Sequence, residues 1–289
     1  MFKIRKIIKS IARTFPRFST LLDYWLFQVK KFGTPKPSIS FSDKNFKNIL
    51  SEIELNGFYV IEDFFSKEDC LAIRNDFDKM ISNDPNAVQS YSDKRVFGIE
   101  ERSKKAYDFY SNNFLKSIAD AYCSTTLANA FTLFNKVETL PGSKGSGEGW
   151  HKDSSFRQFK AFLYLSDVGE NDAPFQVILK SHKIQDYLND MSIAGMQFRE
   201  LRIKNEQVNK ILQEDPDRLH SFKGKAGMVI LADTALIHRG KPPEGGTRYA
   251  LTNYYVKKGE ITDGFIESFQ PINPNRTLDL KTSLNGLKA

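Results

Sequence analysis

Gly227-Met228-Val229-Ile230-Leu231-Ala232-Asp233 is followed after a turn by His238, and then by Arg248-Tyr249-Ala250-Leu251-Thr252-Asn253-Tyr254-Tyr255-Val256. Both runs are short and apolar, and the second is rich in aromatics, so each suits a strand. A histidine lies between them and an arginine opens the second. If that arginine faces inward it needs an anion, because a buried unpaired charge is very costly. Asp233 and Glu138 are candidate structural partners, and the carboxylate of a bound co-substrate is the other candidate.

Outward from this pair, Phe131-Thr132-Leu133-Phe134-Asn135-Lys136-Val137-Glu138 alternates. Phe131, Leu133, Asn135 and Val137 share one face, and Thr132, Lys136 and Glu138 make the other suit solvent. Further strands are expected at 159–166, 174–180, 227–232 and 248–256. Upstream, Gly57 to Phe65 reads as a strand, and Ser66 with Asp69 resembles a capping box opening a helix to about Met80. Residues 81–105 are polar, with Asn83-Asp84-Pro85-Asn86 as turn chemistry, and read as a surface loop. Another helix is expected from Ser111 to about Asn129. The segment 183–222, charged and containing Pro216, interrupts the strands and reads as a helical insert or lid. The pattern predicts a mainly β domain with flanking helices, of closed or sandwiched type such as a jelly roll.

The chemistry centres on Trp150-His151-Lys152-Asp153, which follows the glycine-rich loop Pro141–Gly147. In an extended strand i and i+2 point the same way, so His151 and Asp153 face the interior and Lys152 faces out. With His238 they make a two-histidine, one-carboxylate set of the kind that leaves positions open on non-haem Fe(II) for a co-substrate and O2. Taken alone, a His-x-Asp pair is more often a surface histidine beside an unrelated aspartate. Asn135, on the inward face of its strand, needs a hydrogen-bond partner, either a co-substrate carboxylate or backbone. Phe162 shares a face with Tyr164, where it lines the co-substrate pocket or packs in the core. His220 has no supporting context and reads as a surface residue.

Four blocks carry a resemblance to the phytanoyl-CoA dioxygenase family of Fe(II)/2-oxoglutarate oxygenases. They are Gly57-Phe58-Tyr59-Val60-Ile61 with Phe64-Phe65-Ser66; Trp150-His151-Lys152-Asp153; Ser181-His182-Lys183; and Asp233-Thr234 through His238, Gly240, Pro242-Pro243 and Arg248-Tyr249-Ala250-Leu251. Together they span about residues 55–257. The resemblance implies a double-stranded β-helix (jelly roll, cupin-like), with His151, Asp153 and His238 as iron ligands and Arg248 on the distal carboxylate of 2-oxoglutarate. It implies a dioxygenase that hydroxylates an unactivated C–H of a small-molecule or lipid/glycan-type substrate and releases succinate and CO2. Asp153 stands where halogenating relatives have a small residue, which points to hydroxylation. His182 belongs to the family pattern without being a ligand in it, and reads as structural or pocket-lining. Leu179-Lys180 stands where the family often has Pro-Gly.

The chain has 289 residues, of which 40% are hydrophobic and 13% aromatic, enough for one large domain with a sizeable core. Two cysteines make no disulfide framework, which points to a reducing, cytoplasmic setting. The net charge of +7 is localised: residues 1–37 hold nine Lys or Arg and one acid, Asp23, leaving 33 basic and 34 acidic residues in the body. A near-neutral body argues against nucleic acid as a partner. Residues 1–40 read as a basic amphipathic arm and linker, with Ile4, Ile7, Ile8 and Ile11 at helical spacing and Gly33-Thr34-Pro35-Lys36-Pro37 as the linker; residues 41–289 form the oxygenase domain. Residues 1–31 are compatible with peripheral contact at the inner face of a membrane, or with a terminal helix packed on the domain. The alternative to an enzyme is a non-catalytic metal- or ligand-binding β-barrel protein held at a membrane by the arm.

Overall fold

The computed structural model describes residues 12–32, 44–83, 89–90 and 92–257. The expected isoleucine helix at Ile4–Ile11 and the Gly33–Pro37 linker lie outside the described residues. Helices α1 (Pro16–Phe32) and α2 (Lys44–Asn56) precede β1 (Phe58–Ile61), and α3 (Lys67–Asn83) follows it. The edge pair β2 (Gln89–Ser90) and β3 (Lys94–Phe97) leads to α4 (Lys104–Tyr110) and α5 (Asn113–Cys123). Then come β4 (Leu127–Glu138), β5 (Phe159–Tyr164), β6 (Phe175–Ile178), α6 (Ile184–Ala194) and α7 (Asn205–Glu214). The described chain ends with β7 (Leu219–Phe222), β8 (Val229–Asp233), β9 (Ile237–Gly240) and β10 (Thr247–Lys257).

The strands form two antiparallel sheets, one ordered β1-β8-β5-β10-β4-β3-β2 and a smaller one ordered β7-β6-β9. No strand pairing among the described residues joins them into a closed barrel, so the architecture is the sandwiched form of the expectation. Register decides what each face does. Ala250 pairs with Asn135 on one side and Tyr164 on the other, and Thr252 with Leu133 and Phe162. Opposed residues of an antiparallel pair share a face, so Arg248, Asn135, Phe162 and Lys160 all look toward the smaller sheet. There Phe175, Val177 and Phe222 meet Tyr164, Ile230 and Ala250 in an inter-sheet core.

The other face of the large sheet packs on helices. Cys70, Ile73, Phe77 and Met80 recur at helical spacing on α3 and are buried against Phe134, Leu163 and Leu251. Phe77 stacks on Phe134 with ring centroids 3.9 Å apart. The expected solvent face of β4 is therefore covered: Thr132 and Phe134 are both fully buried. Thr132 is accommodated because its hydroxyl donates to Asn253 Oδ1 at 2.6 Å and its N–H donates to Glu100.

Other expectations need correction. The stretch read as a surface loop at 81–105 contains β2 and β3, whose polar residues suit an edge strand. The helix expected from Ser111 starts at Asn113, capped by Asn112, and stops at Cys123. Ser124 then turns left-handed (φ 54), and β4 begins at Leu127. The helical insert at 183–222 holds α6 and α7, but its last four residues are β7. Ser66 does cap α3, accepting the Asp69 N–H at 3.0 Å.

Candidate metal and co-substrate site

Residues 150–153 run as an irregular strand between β9 and the 201–203 stretch. The His151 N–H donates to the His238 carbonyl at 2.9 Å, and the His238 N–H donates back at 2.8 Å. The Asp153 N–H donates to Thr234, and Lys152 N–H to Leu201. His151 and His238 are thus a cross-strand pair, with ring centroids 4.2 Å apart.

Each ring is oriented by its own neighbourhood. Nδ1 of His151 lies 2.9 Å from the Gly149 carbonyl, and Nδ1 of His238 lies 2.8 Å from that of Leu236. A carbonyl only accepts, so both Nδ1 atoms carry the proton and both Nε2 lone pairs are free. Those Nε2 atoms point at one carboxylate, His151 at 3.7 Å from Asp153 Oδ1 and His238 at 3.6 Å from Oδ2. Two donors each about 2.1 Å from one ion stand roughly 3.0 to 4.2 Å apart, so these spacings fit. Gly147 (φ +82) presses on the His151 imidazole, and any Cβ there would overlap the ring.

Electrostatics prepare the same three groups. Burial, reinforced by His151, pushes the His238 imidazole down to about 3, and burial also lowers His151. Burial alone would raise the Asp153 carboxyl, but the Lys160 ammonium and the two imidazoles hold it well below the usual carboxylate range. Lys160 Nζ is 2.7 Å from Asp153 Oδ2 and 3.9 Å from the centre of the Tyr254 ring. Apart from that ammonium, buried Oδ2 meets no donor among the described residues. A buried anionic oxygen in that condition, facing two imidazole lone pairs, suits a divalent cation.

Arg248 sits on the same cavity, 5% exposed. Its Nη1 donates to the Ala173 carbonyl at 2.6 Å, and its Nε is buried without a partner. Neither candidate structural anion reaches it. Asp233 accepts from Tyr122 OH at 2.6 Å, and Glu138 pairs with Lys94 and Lys136. The cavity, about 180 Å³, is lined by all six residues singled out from sequence: His151, Asp153, His238, Arg248, Asn135 and Phe162. Asn135 is satisfied differently from either expectation, donating to Asp93 Oδ2 and Ser146 Oγ at 3.2 Å each. Phe162 both lines the cavity and stacks on Phe175 at 4.7 Å.

The sequence reading missed Lys160, Arg95 and Arg202, which also line the cavity beside Tyr164. The period-2 rule that selected Phe162 and Tyr164 would have found Lys160, two residues earlier on the same face. Lys152 is a correction, since it does not face out. Only 3% exposed, it donates to Ser181 O at 3.1 Å and lies over the Tyr187 ring at 3.6 Å. Helix α6 covers the side expected to be solvent, and burial lowers the Lys152 ammonium to about 7, against the opposing pull of Asp233 and Asp190. His220 is half-buried and stacks on Phe58, so it is not a plain surface residue. His182 Nε2 lies 3.3 Å from the Glu54 carbonyl, a structural tie to α2. Lys180 adopts φ 67, the left-handed conformation that favours glycine.

Comparison with known proteins identifies the fold and the family. The family model of phytanoyl-CoA dioxygenase (PhyH) matches residues 53–247. The epimerase SnoN, solved with Fe3+, alpha ketoglutarate and nogalamycin RO, superposes with TM-score 0.55 at 9% identity over 74% of this chain and 84% of SnoN. HygX from Streptomyces hygroscopicus, solved with nickel, 2-oxoglutarate and hygromycin B, gives 0.52 at 14% identity, covering 73% and 87%. EctD from S. alaskensis gives 0.56 at 16% identity, covering 78% and 82%. No curated protein matches the chain. These superpositions establish the jelly-roll fold, and the family match reaches the chemistry: the chain belongs to the phytanoyl-CoA dioxygenase family of non-haem, Fe(II)- and 2-oxoglutarate-dependent dioxygenases.

Proposed function

We propose that His151, Asp153 and His238 hold the Fe(II), that Arg248 holds the distal carboxylate of 2-oxoglutarate, and that the enzyme hydroxylates an unactivated C–H of a small-molecule substrate. The observation that carries this reading is the convergence of two free Nε2 atoms on the Asp153 carboxylate, all three ligand atoms lying within 4.8 Å of one another. When bound, the metal and co-substrate supply the oxidation, with succinate and CO2 released; the chain supplies ligands, orientation and exclusion of water.

Each residue has a part in that division of labour. The backbone carbonyls of Gly149 and Leu236 fix the tautomers, and burial keeps both imidazoles neutral. Lys160 keeps Asp153 ionised and limits its swing. The Arg248 guanidinium is held by the Ala173 carbonyl and the Tyr164 hydroxyl, neutral partners that leave Nε free and its charge uncompensated for a carboxylate. Arg95, Lys160, Arg202 and Arg248 line the cavity, with Arg95 paired to Asp93 and Lys160 to Asp153, so Arg202 and Arg248 give a positive excess that favours an anionic co-substrate. Phe162 and Phe175 make one dry wall.

The test is anaerobic addition of Fe(II) and then 2-oxoglutarate to the metal-free protein, followed by visible absorption. A weak charge-transfer band that appears only with both, and is absent in His151→Ala and His238→Ala, is the expected result. Iron binding without any band would assign the three residues to a metal site of another kind.

A further inference from the structure

Helix α1 is turned the wrong way for a helix packed on a protein core. Its polar and mixed side faces inward. Asp23 forms a two-point ion pair with Arg199 at 2.8 Å, and Tyr24 and Phe27 contact Phe156 at 5.6 and 5.2 Å between centroids. Its apolar side faces solvent: Phe18 is 63% exposed and Trp25 59%, with Leu21, Leu22, Leu26 and Val29 beside them. At ~100° per residue these six cover an arc of roughly 140°, wider than the stripe a helix commonly buries in a core. An apolar band of this size held outward by specific contacts marks a docking surface.

We infer that the outer face of α1 docks on an anionic lipid surface. Charge selects that occupant. Residues 1–37, which include α1, hold nine basic side chains and one acid, and that acid, Asp23, is already paired inward. A second copy of the chain would bring the same positive charge to the interface, so self-association through this face is opposed, whereas anionic headgroups attract it. The exposed Trp25 suits the boundary between headgroups and acyl chains. Among the described residues no helix is long and apolar enough to cross a membrane, so the mode is lying on the surface, apolar face down. The placement also bears on access. Asp23, Leu26 and Phe27 of α1 share a groove of about 570 Å³ with Asp153, Phe156 and Leu201, so the helix borders an approach to the site from its inward side.

The test uses the full chain with vesicles of phosphatidylcholine alone or phosphatidylglycerol. Trp150 is 4% exposed and Trp25 is the other tryptophan, so emission changes report Trp25. Co-sedimentation with phosphatidylglycerol vesicles only, with a blue shift lost in Trp25→Phe, is expected. Phe18→Ser with Leu22→Ser should lower partitioning by ~10-fold or more while circular dichroism stays unchanged. Arg13→Glu with Arg17→Glu should weaken it too and flatten its salt dependence, because less of the remaining binding is electrostatic. Several results would overturn the inference: no sedimentation, equal binding to both vesicles, or binding untouched by Phe18→Ser/Leu22→Ser. Emission already blue without vesicles and unmoved by them would mean part of this chain covers the face. A concentration-dependent dimer abolished by the same pair of substitutions would assign the face to a second copy.

Discussion

Gly147 tests whether ring placement governs iron affinity. A Cβ there would overlap the His151 imidazole, so Gly147→Ala should weaken Fe(II) binding by ~10- to 100-fold, the scale on which supports of metal ligands act, as read by anaerobic titration. Arg248→Ala should leave iron binding intact and cost ~2–5 kcal/mol in 2-oxoglutarate affinity, the range for removing one member of a desolvated charge pair; unchanged affinity would give Arg248 another job. Lys160→Met should destabilise the metal-free protein by ~3–5 kcal/mol, because Asp153 keeps its buried charge without a counterion, and Fe(II) should restore part of the loss in a thermal-shift measurement. At this scale the sequence was legible as far as the placing of His151, Asp153, His238 and Arg248 on one cavity. It was not legible for Lys152 and Lys160, because a lysine is nearly always solvated. Only tertiary packing shows that α6 covers one and that Asp153 neutralises the other.

The strands of the central pairings could be read from period and apolar content, and β5, β6, β8 and β10 lie within a few residues of their expected ranges. The second face of β4 misled because Thr132, Lys136 and Glu138 look solvated one by one, while Phe134 among them anchors α3. Phe77→Ala should cost ~3–5 kcal/mol in denaturant unfolding, since it removes the ring stacked on Phe134 and opens the helix–sheet core. Strand β3, next to the β2 edge, escaped notice for a related reason: Lys94 and Arg95 look solvated one by one, yet β3 pairs with β2 on one side and β4 on the other. The turn before Ser181 folds as a left-handed step even with a lysine in it. Lys180→Gly should therefore relieve strain and stabilise the protein by up to ~1 kcal/mol, visible as a small rise in Tm.

For the molecule as a whole, the sandwich was legible and the orientation of its parts was not. Nothing in periodicity says which side of α1 meets the body, because an amphipathic helix offers two choices and the usual one buries the apolar side. The pH response also belongs to the whole fold. Burial lowers His238 to about 3 and also lowers His151, while the unfolded chain takes up protons near the ordinary value of ~6.5. Below that value the unfolded state binds more protons, so the metal-free protein should lose stability steadily as pH falls from about 6.5 toward 3. Denaturant midpoints across that range measure it, and His238→Gln should flatten the slope.

The reciprocal backbone hydrogen bonds of His151 and His238 tie two stretches distant in sequence into a single rung, and the imidazoles sit directly on it. A cation held there acts as a removable staple across a long loop of chain, containing α6, α7 and the whole of β8. Closing such a loop restricts the unfolded ensemble more than the folded one. Loading with metal should then slow amide exchange at residues 151 and 238 together, and loss of metal should loosen the smaller sheet before the helix-backed one.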